Sequence, residues 1–442
     1  MSFKLLEGMQ LGVATAATQI EGGNRQNTWY DWFLKGHIKD GSDPSIATNH
    51  YELYAEDAKL MREMGIEIYR LGIEWARLEP ENGVFDESEF QHYKNELRLL
   101  KDYGIEPLVT LHHFTDPLWF AEMGAFENPA CIDIFLRFVK KVVEEFRDLS
   151  SEYITINEPN VYAVYGWFFG DFPPGKKSFN ATFKVLNNLC ECHVKAYRLI
   201  HELREKMGYS DTKVGYAHHM RVFVPKNRGN LFHRACTPIL RRLFQSAISK
   251  SFLTGRACAP LRSVRGAGKG PFCDFHAVNY YSRSAVSGFK EEYLENVPVN
   301  DLGWEIYPEG IAMTARELYK LAPLPIYITE NGTCDNEDAY RSRYICEHIE
   351  ALCKSGLPVK RYYHWCFTDN FEWNDGFSAR FGIVHTDFDT QRRTVKKSGE
   401  FYKKMIQERG VTEEMYQEYC DVPYRTNGTI KSEPSQTASV TL

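Results

Sequence analysis

Eight times along 442 residues, a short apolar run rich in β-branched and aromatic residues is set against a stretch of helical periodicity. The first run is "LGVATAAT". "IEIYRLGIEW" follows the helix-like "HYELYAEDAKLMREMG", "IEPLVTLHHF" follows "FQHYKNELRLLKDYG", and "YITINEPN" follows "IDIFLRFVKKVVEEFRD". "KVGYAHHM" comes after the long "NATFKVLNNLCECHVKAYRLIHELREKMG", and "FHAVNYYS" after a further basic, helical region. "PIYITENG" comes after "PEGIAMTARELYKLA", and "VKRYYHWCF" after "AYRSRYICEHIEALCKSG". The runs are continuously apolar, as strands are when both faces of a sheet are covered. Gly65, Gly104, Gly208 and Gly356 close helical stretches just before the next strand, which suits helix C-capping. Eight such units at this length predict an α/β chain folded as a single-domain (β/α)8 TIM barrel. The alternative, an open doubly wound sheet, lacks its usual Gly-x-Gly-x-x-Gly or Gly-Lys-Ser/Thr phosphate loop here. The catalytic domain is predicted over residues 1–420. Residues 421–442, rich in Ser, Thr and Pro, are predicted to form a flexible C-terminal tail.

A formal net charge of -6 argues against a nucleic-acid partner. No apolar run approaches the roughly 20 residues that span a bilayer, so no membrane partner is expected. The opening residues lack the basic-then-apolar pattern of a secretory signal. Eleven scattered cysteines without paired spacing suit reduced thiols, and together these features predict a cytoplasmic enzyme. Cys190, Cys192 and His193 of "LCECH" resemble a metal cluster only superficially, because Cys-x-Cys on a helix points its side chains to different faces. No metal and no cofactor is expected. Aromatic residues reach 14%, enough to fill a large core and to line a site that stacks on an apolar ligand face.

Two of the strand candidates end in a glutamate: Glu158 on the fourth and Glu330 on the seventh. Active sites of such barrels lie at the C-terminal ends of the strands. Strands four and seven lie across the mouth from one another, so their carboxylates can face over a bound molecule. That pairing suits cleavage of a glycosidic bond, in which one carboxyl protonates the leaving oxygen and the other attacks the anomeric carbon or activates water. Retaining enzymes set the two about 5–5.5 Å apart, inverting ones about 6.5–9.5 Å. A lone glutamate at a strand end is more often part of a structural ion pair. Two of them, in Asn-Glu-Pro and Thr-Glu-Asn-Gly contexts, favour chemistry.

"TINEPN" and "YITENG" resemble the two signature segments of glycoside hydrolase family 1, the β-glucosidase family of (β/α)8 barrels. "ATAATQIEGG" resembles its N-terminal segment, and "DNFEW" with "GFSARFGIVHTDFDTQRRTVKKSGEFY" its C-terminal one. The resemblance runs from about residue 8 to about residue 410. It implies a retaining β-glucosidase that removes non-reducing terminal β-D-glucosyl residues through a covalent glycosyl-enzyme. β-D-fucosides and β-D-galactosides fall within its range, as does transglycosylation. Glu158 is implied as the acid/base and Glu330 as the nucleophile. Physics supports that division, since a nearby ionised Glu330 raises the carboxyl of Glu158 and the charge vanishes once Glu330 is glycosylated. Arg70 and Tyr281 are implied to flank the nucleophile and hold it ionised. Asn157 is implied to bind the sugar 2-hydroxyl. Gln19, His113, Glu372 and Trp373 are implied to bind other hydroxyls, Trp365 to form a platform under the ring, and Asn279 to orient that wall.

In "TLHHFTDPLWF" the resemblance selects His113, and His112 is expected to face away because adjacent strand residues point to opposite sides. Phe114 stands where the family more often has Trp. His218 and His219 on the fifth strand are read as lining or packing, not metal ligands. Glu372 occupies the position that 6-phosphoglycosidases usually fill with Ser, and an anionic side chain there opposes a sugar phosphate. Trp167 and Phe172 of "YGWFFGDFPPG" are placed on the aglycone side. The expected partners are therefore small-molecule β-glucosides and oligosaccharides. A catalytically silent sugar-binding barrel is the competing reading, opposed by the presence of both carboxylates. A metal-dependent hydrolase lacks a convincing ligand set.

Overall fold

A computed structural model describes residues 1–428. All eight expected strands are present: β1 (Gln10–Ala14), β2 (Ile68–Gly72), β3 (Glu106–Thr110), β4 (Glu152–Asn157), β5 (Lys213–Pro225), β6 (His276–Ser287), β7 (Ile326–Asn331) and β8 (Val359–Trp365). Each is parallel to its neighbours. The sheet closes because β7 pairs with β6 on one side and β8 on the other, while β8 pairs with β1. The chain is thus a closed (β/α)8 barrel.

Helices cover the outside and owe their ends to local sequence. In α1 (His50–Glu63), α2 (Glu87–Asp102), α3 (Cys131–Glu145) and α4 (Phe179–Lys206) one apolar face is buried. Asp86 caps α2 by accepting from the amides of Ser88 and Glu89, and Ser178 caps α4 through the amide of Ala181. Gly65, Gly104, Gly208 and Gly356 all take the left-handed backbone expected of C-capping residues.

The core has two layers, one inside the barrel and one between strands and helices. At the N-terminal end the barrel is floored by charge. Arg361 donates to Glu152 at 2.6 Å and to Glu106 at 2.5 Å, and Lys213 donates to Glu152 at 2.9 Å. At the opposite end the strand register slips between Ile154 and Asn157 and between Ile328 and Glu330. Such bulges re-aim side chains at barrel rims.

Residues 421–428, assigned by sequence to a flexible tail, lie against the barrel. Arg425–Thr426 pairs with Pro298–Val299, and the Tyr424 hydroxyl donates to Glu347 at 2.8 Å. The remainder of that predicted tail, residues 429–442, lies outside the described residues. Cys190, Cys192 and His193 are buried inside α4, where His193 Nδ1 meets the Thr155 hydroxyl at 2.8 Å. Among the described residues no group of three or more His, Cys, Asp or Glu is placed to hold a metal. No helix among them is long and apolar enough to cross a membrane.

Candidate active site

Glu330 lies near the end of β7 and Glu158 directly follows β4, and both are buried. Asn157 and Glu158 are neighbours, yet both side chains serve the same site, which extended backbone forbids. The chain solves this by placing Glu158 in the left-handed region, at φ 42°. Phe114, after His113, and Trp373, after Glu372, do the same at φ 63° and 49°. Non-glycine residues rarely adopt this conformation, and its recurrence at one barrel mouth marks a functional region.

Arg70, inside β2 and fully buried, joins the parts. Its Nη1 donates to Glu330 Oε1, its Nη2 to Asn157 Oδ1 at 2.7 Å, and its Nε to the Thr110 hydroxyl at 3.0 Å. The Tyr281 hydroxyl donates to Glu330 Oε2 at 2.6 Å. Asn279 Nδ2 donates to Glu158 Oε1 at 2.8 Å and to Asn157 Oδ1 at 3.0 Å, while its own Oδ1 accepts from Thr329 at 2.7 Å. One connected set of hydrogen bonds therefore runs from the first glutamate to the second. Gly332 fixes the strand beside it: a Cβ there would lie 1.8 Å from the carbonyl oxygen of Trp365.

Two atoms of the site, His113 Nδ1 and Gln19 Oε1, have no partner among the described residues. His113 Nε2 stands 2.9 Å from Asn157 Nδ2, and the amide must donate, so the histidine hydrogen sits on Nδ1. That Nδ1 is buried and unpaired. Burial, with Arg70 and His112 nearby, holds the His113 ring well below its ordinary value, so it stays neutral. Gln19 spends its amide on Phe371, Asn370 and Glu372, and its buried Oε1 is left without a donor. Buried unpaired groups are costly and point to a ligand that completes them. Trp365 and Trp373 lie nearly parallel to His113, with centroids 5.7 and 5.8 Å from it. Burial first, then the charges of Asp375 and Glu330, pushes Glu372 up to about 8. It is therefore mostly protonated at neutral pH, and the expected charge repulsion against a sugar phosphate is correspondingly weak.

Burial is the largest influence on both paired carboxyls and raises both. At Glu330 the charge of Glu158 adds to it, Arg70 and Tyr281 oppose it, and the carboxyl is pushed up to about 7. At Glu158 burial is outweighed by His219, Asn279 and Arg70, which hold the carboxyl below its usual value. The two interact and titrate as a pair.

His219 was not singled out as a site residue by sequence, yet its Nδ1 lies 3.0 Å from Glu158 Oε1. Arg221 Nε donates to His219 Nε2 at 2.9 Å. The signal was present in "HHMR", because residues two apart on a strand share a face. His112 faces away as expected, bonded to Asp116 at 2.9 Å. Trp167 does not reach the open side: only 1% exposed, it is packed on Tyr162 and donates to Glu127 at 3.2 Å. A large indole on that short π-helical turn was absorbed by the core. Phe172 is half-buried and meets Trp29 at 5.0 Å and Phe114 at 5.8 Å, within the aromatic wall that continues to Trp373.

A closed barrel with two interacting carboxyls among indoles and unpaired polar groups at one mouth fits the class of enzyme that cuts glycosidic bonds. The chain belongs to glycosyl hydrolase family 1, whose profile matches residues 2–247 and 274–411. It is 30% identical to a 1,4-beta-D-glucan glucohydrolase of Thermotoga neapolitana, over 93% of this chain and 100% of the relative. Beta-glucosidase A of Acetivibrio thermocellus is 32% identical over 90% of this chain and 97% of its own length. Among solved structures, a beta-glycosidase from Pyrococcus horikoshii superposes with a TM-score of 0.86 at 32% identity, covering 95% of this chain and 98% of that one. The chain is a glycoside hydrolase.

Proposed function

We propose that the protein is a retaining β-glucosidase that releases non-reducing terminal β-D-glucosyl residues by double displacement. The carrying observation is the clamp on Glu330, where a guanidinium and a phenol both favour an attacking carboxylate, beside a second glutamate bonded by an amide and an imidazole rather than by a guanidinium. Part of the lowering at Glu158 requires a cationic His219. Arg221 keeps its proton and donates to Nε2, so the ring accepts there and carries its hydrogen on Nδ1 without net charge. With that charge absent, Arg70 keeps Glu330 ionised and the proton shared by the pair rests on Glu158.

In the first step Glu330 attacks the anomeric carbon, Glu158 protonates the departing oxygen, and the glycosyl-enzyme forms. In the second, Glu158, now ionised, takes a proton from water, and the hydroxide oxygen displaces Glu330. An alcohol in place of water gives transglycosylation. Asn157 serves the 2-hydroxyl, while the unpaired His113 Nδ1–H and Gln19 Oε1 supply a donor and an acceptor to neighbouring hydroxyls. Glu372 and the Trp373 indole complete that wall, Trp365 underlies the ring, Asn279 orients Asn157 and Glu158, and Phe172 borders the aglycone. β-D-galactosides, altered at the 4-position, and β-D-fucosides, altered at the 4- and 6-positions, belong to the same substrate class. A beta-galactosidase of Pyrococcus woesei, 27% identical over 92% of this chain, supports that breadth. The reading takes residues 1–420 as one catalytic domain. A cytoplasmic setting is supported by eleven cysteines that are all free thiols.

The anomer first released decides the stereochemistry. Proton NMR of early turnover is expected to show β-glucose, and α-glucose as the first product overturns the retaining mechanism. Glu330→Ala with azide and an activated aryl β-glucoside is expected to yield the α-glucosyl azide. Its absence removes Glu330 from the role of nucleophile.

A further inference from the structure

The mechanism above asks Glu158 to give a proton and later to take one, and the residues that hold its carboxyl decide how well it does both. The groups facing it are Arg70 from β2, His219 from β5, Asn279 and Tyr281 from β6, and Glu330 from β7. Asn279 Nδ2 and His219 Nδ1 both reach the same atom, Oε1, at 2.8 and 3.0 Å. Neither touches Oε2. His219 is itself held from behind. Arg221 Nε donates to its Nε2, and the Arg221 Nη1 is anchored by Glu291 at 2.6 Å, which also accepts from Ser284 at 3.0 Å. The Arg221 guanidinium also lies over the ring of Phe244, 4.9 Å from its centroid. The His219 ring lies nearly parallel to Tyr281, at 5.8 Å.

Resting on the acid/base reading of Glu158, we propose that His219 and Arg221 form a positioning pair for that carboxyl: Arg221 locks His219 in the neutral Nδ1–H tautomer, and His219 then occupies Oε1 so that the transferable proton sits on Oε2. An Oε1 that accepts two N–H bonds has no room for a proton. A carboxyl with one oxygen tied down cannot turn, and the proton points at one place. Because the lock is an arginine, an N–H is always present to donate to His219 Nε2. The pair extends the site to the hairpin that carries Glu291, beyond the residues that touch the sugar.

The test compares His219→Leu and His219→Asn with the wild type on cellobiose and on 2,4-dinitrophenyl β-glucoside. Removing a donor that favours the carboxylate raises the Glu158 carboxyl. Activity that needs it protonated then persists to higher pH. The basic limb of kcat/KM for cellobiose is expected to move up by about one pH unit in His219→Leu. Its kcat/KM is expected to fall about tenfold through lost orientation of the proton. The dinitrophenyl substrate, whose leaving group needs no proton, is expected to stay within about threefold. Asn places an amide N–H where the imidazole Nδ1–H stood, so His219→Asn is expected to restore the limb. Side-chain ¹⁵N shifts of His219 are expected to show the hydrogen on Nδ1 from pH 5 to 8 in the wild type, and a titrating ring in Arg221→Met. An unmoved basic limb in His219→Leu, an equal loss on both substrates, or a hydrogen on Nε2 overturns the proposal. Glu158→Gln is the control: if it fails to separate the two substrates, the acid/base reading itself falls, whereas separation there with an unmoved limb in His219→Leu overturns only the positioning role.

Discussion

Arg70 shares one guanidinium among Glu330, Asn157 and the Thr110 hydroxyl, so no single partner can shift without straining the others. Tyr281 is the adjustable member, touching Glu330, the proposed nucleophile, alone through its hydroxyl. In Tyr281→Phe the Glu330 carboxylate loses a donor and its carboxyl rises. On the proposed reading Glu330 must be ionised, and activity falls as pH drops through that value, so the acid limb of kcat/KM is expected to move to higher pH. Kinetics at the optimum are expected to show a loss of about 10- to 100-fold, the worth of a hydrogen bond to a charged group. At this scale the sequence was legible where a motif carried chemistry. "TINEPN" and "YITENG" marked both glutamates; Arg70, Tyr281 and Asn279 bond to them directly, and Asn157 and His113 join them through Arg70 and Asn279. In "HHMR" the spacing shows that His219 and Arg221 share a strand face, but not that this face meets Glu158. Trp167 misled because an indole near a mouth serves packing as readily as ligand.

The connection between elements rests on buried polar ties as much as on apolar faces. His50 opens α1 and reaches Asp57 of its own helix at 2.7 Å and Glu96 of α2 at 3.0 Å, while Arg393 of a distant hairpin also binds Asp57. Burial alone lowers the His50 ring, yet its hydrogen bonds to the two carboxylates push it up to about 10 from an ordinary 6.5. A raised folded-state value means that His50 contributes stability fully below about pH 6.5 and loses it as pH climbs through about 10. His50→Gln is expected to lower stability by about 2–4 kcal/mol at pH 6, with a gap that narrows steadily towards pH 10. Denaturant melts across that range check it. The elements themselves were readable from periodicity and from the glycines that end helices. This tie was not, since His50, Glu96 and Arg393 are far apart in sequence.

Across the whole molecule the barrel is sorted by chemistry: ions at the floor, aliphatic and aromatic layers in the middle, acids and indoles at the mouth. The floor hangs on Arg361, which faces both Glu106 and Glu152. Arg361→Met leaves the buried Glu152 with the more exposed Lys213 as its cation, and calorimetry is expected to record a loss of about 3 kcal/mol. Since Arg361 lies far below the mouth, kcat/KM of the folded enzyme is expected to remain within about twofold. Eight repeated units made the barrel visible in the sequence. The docking of residues 421–428 was not, because their composition resembles a tail and only the partners Pro298, Val299 and Glu347 reveal their place.

That shut floor has a consequence for traffic. A vessel open at one end has no back door: substrate, water and product use the same opening, and a long chain cannot thread through. On the proposed reading each cut removes one sugar, the shortened chain must let go, and the freed sugar must leave before the next end enters. On that same reading the enzyme works distributively, and its own product shares the doorway.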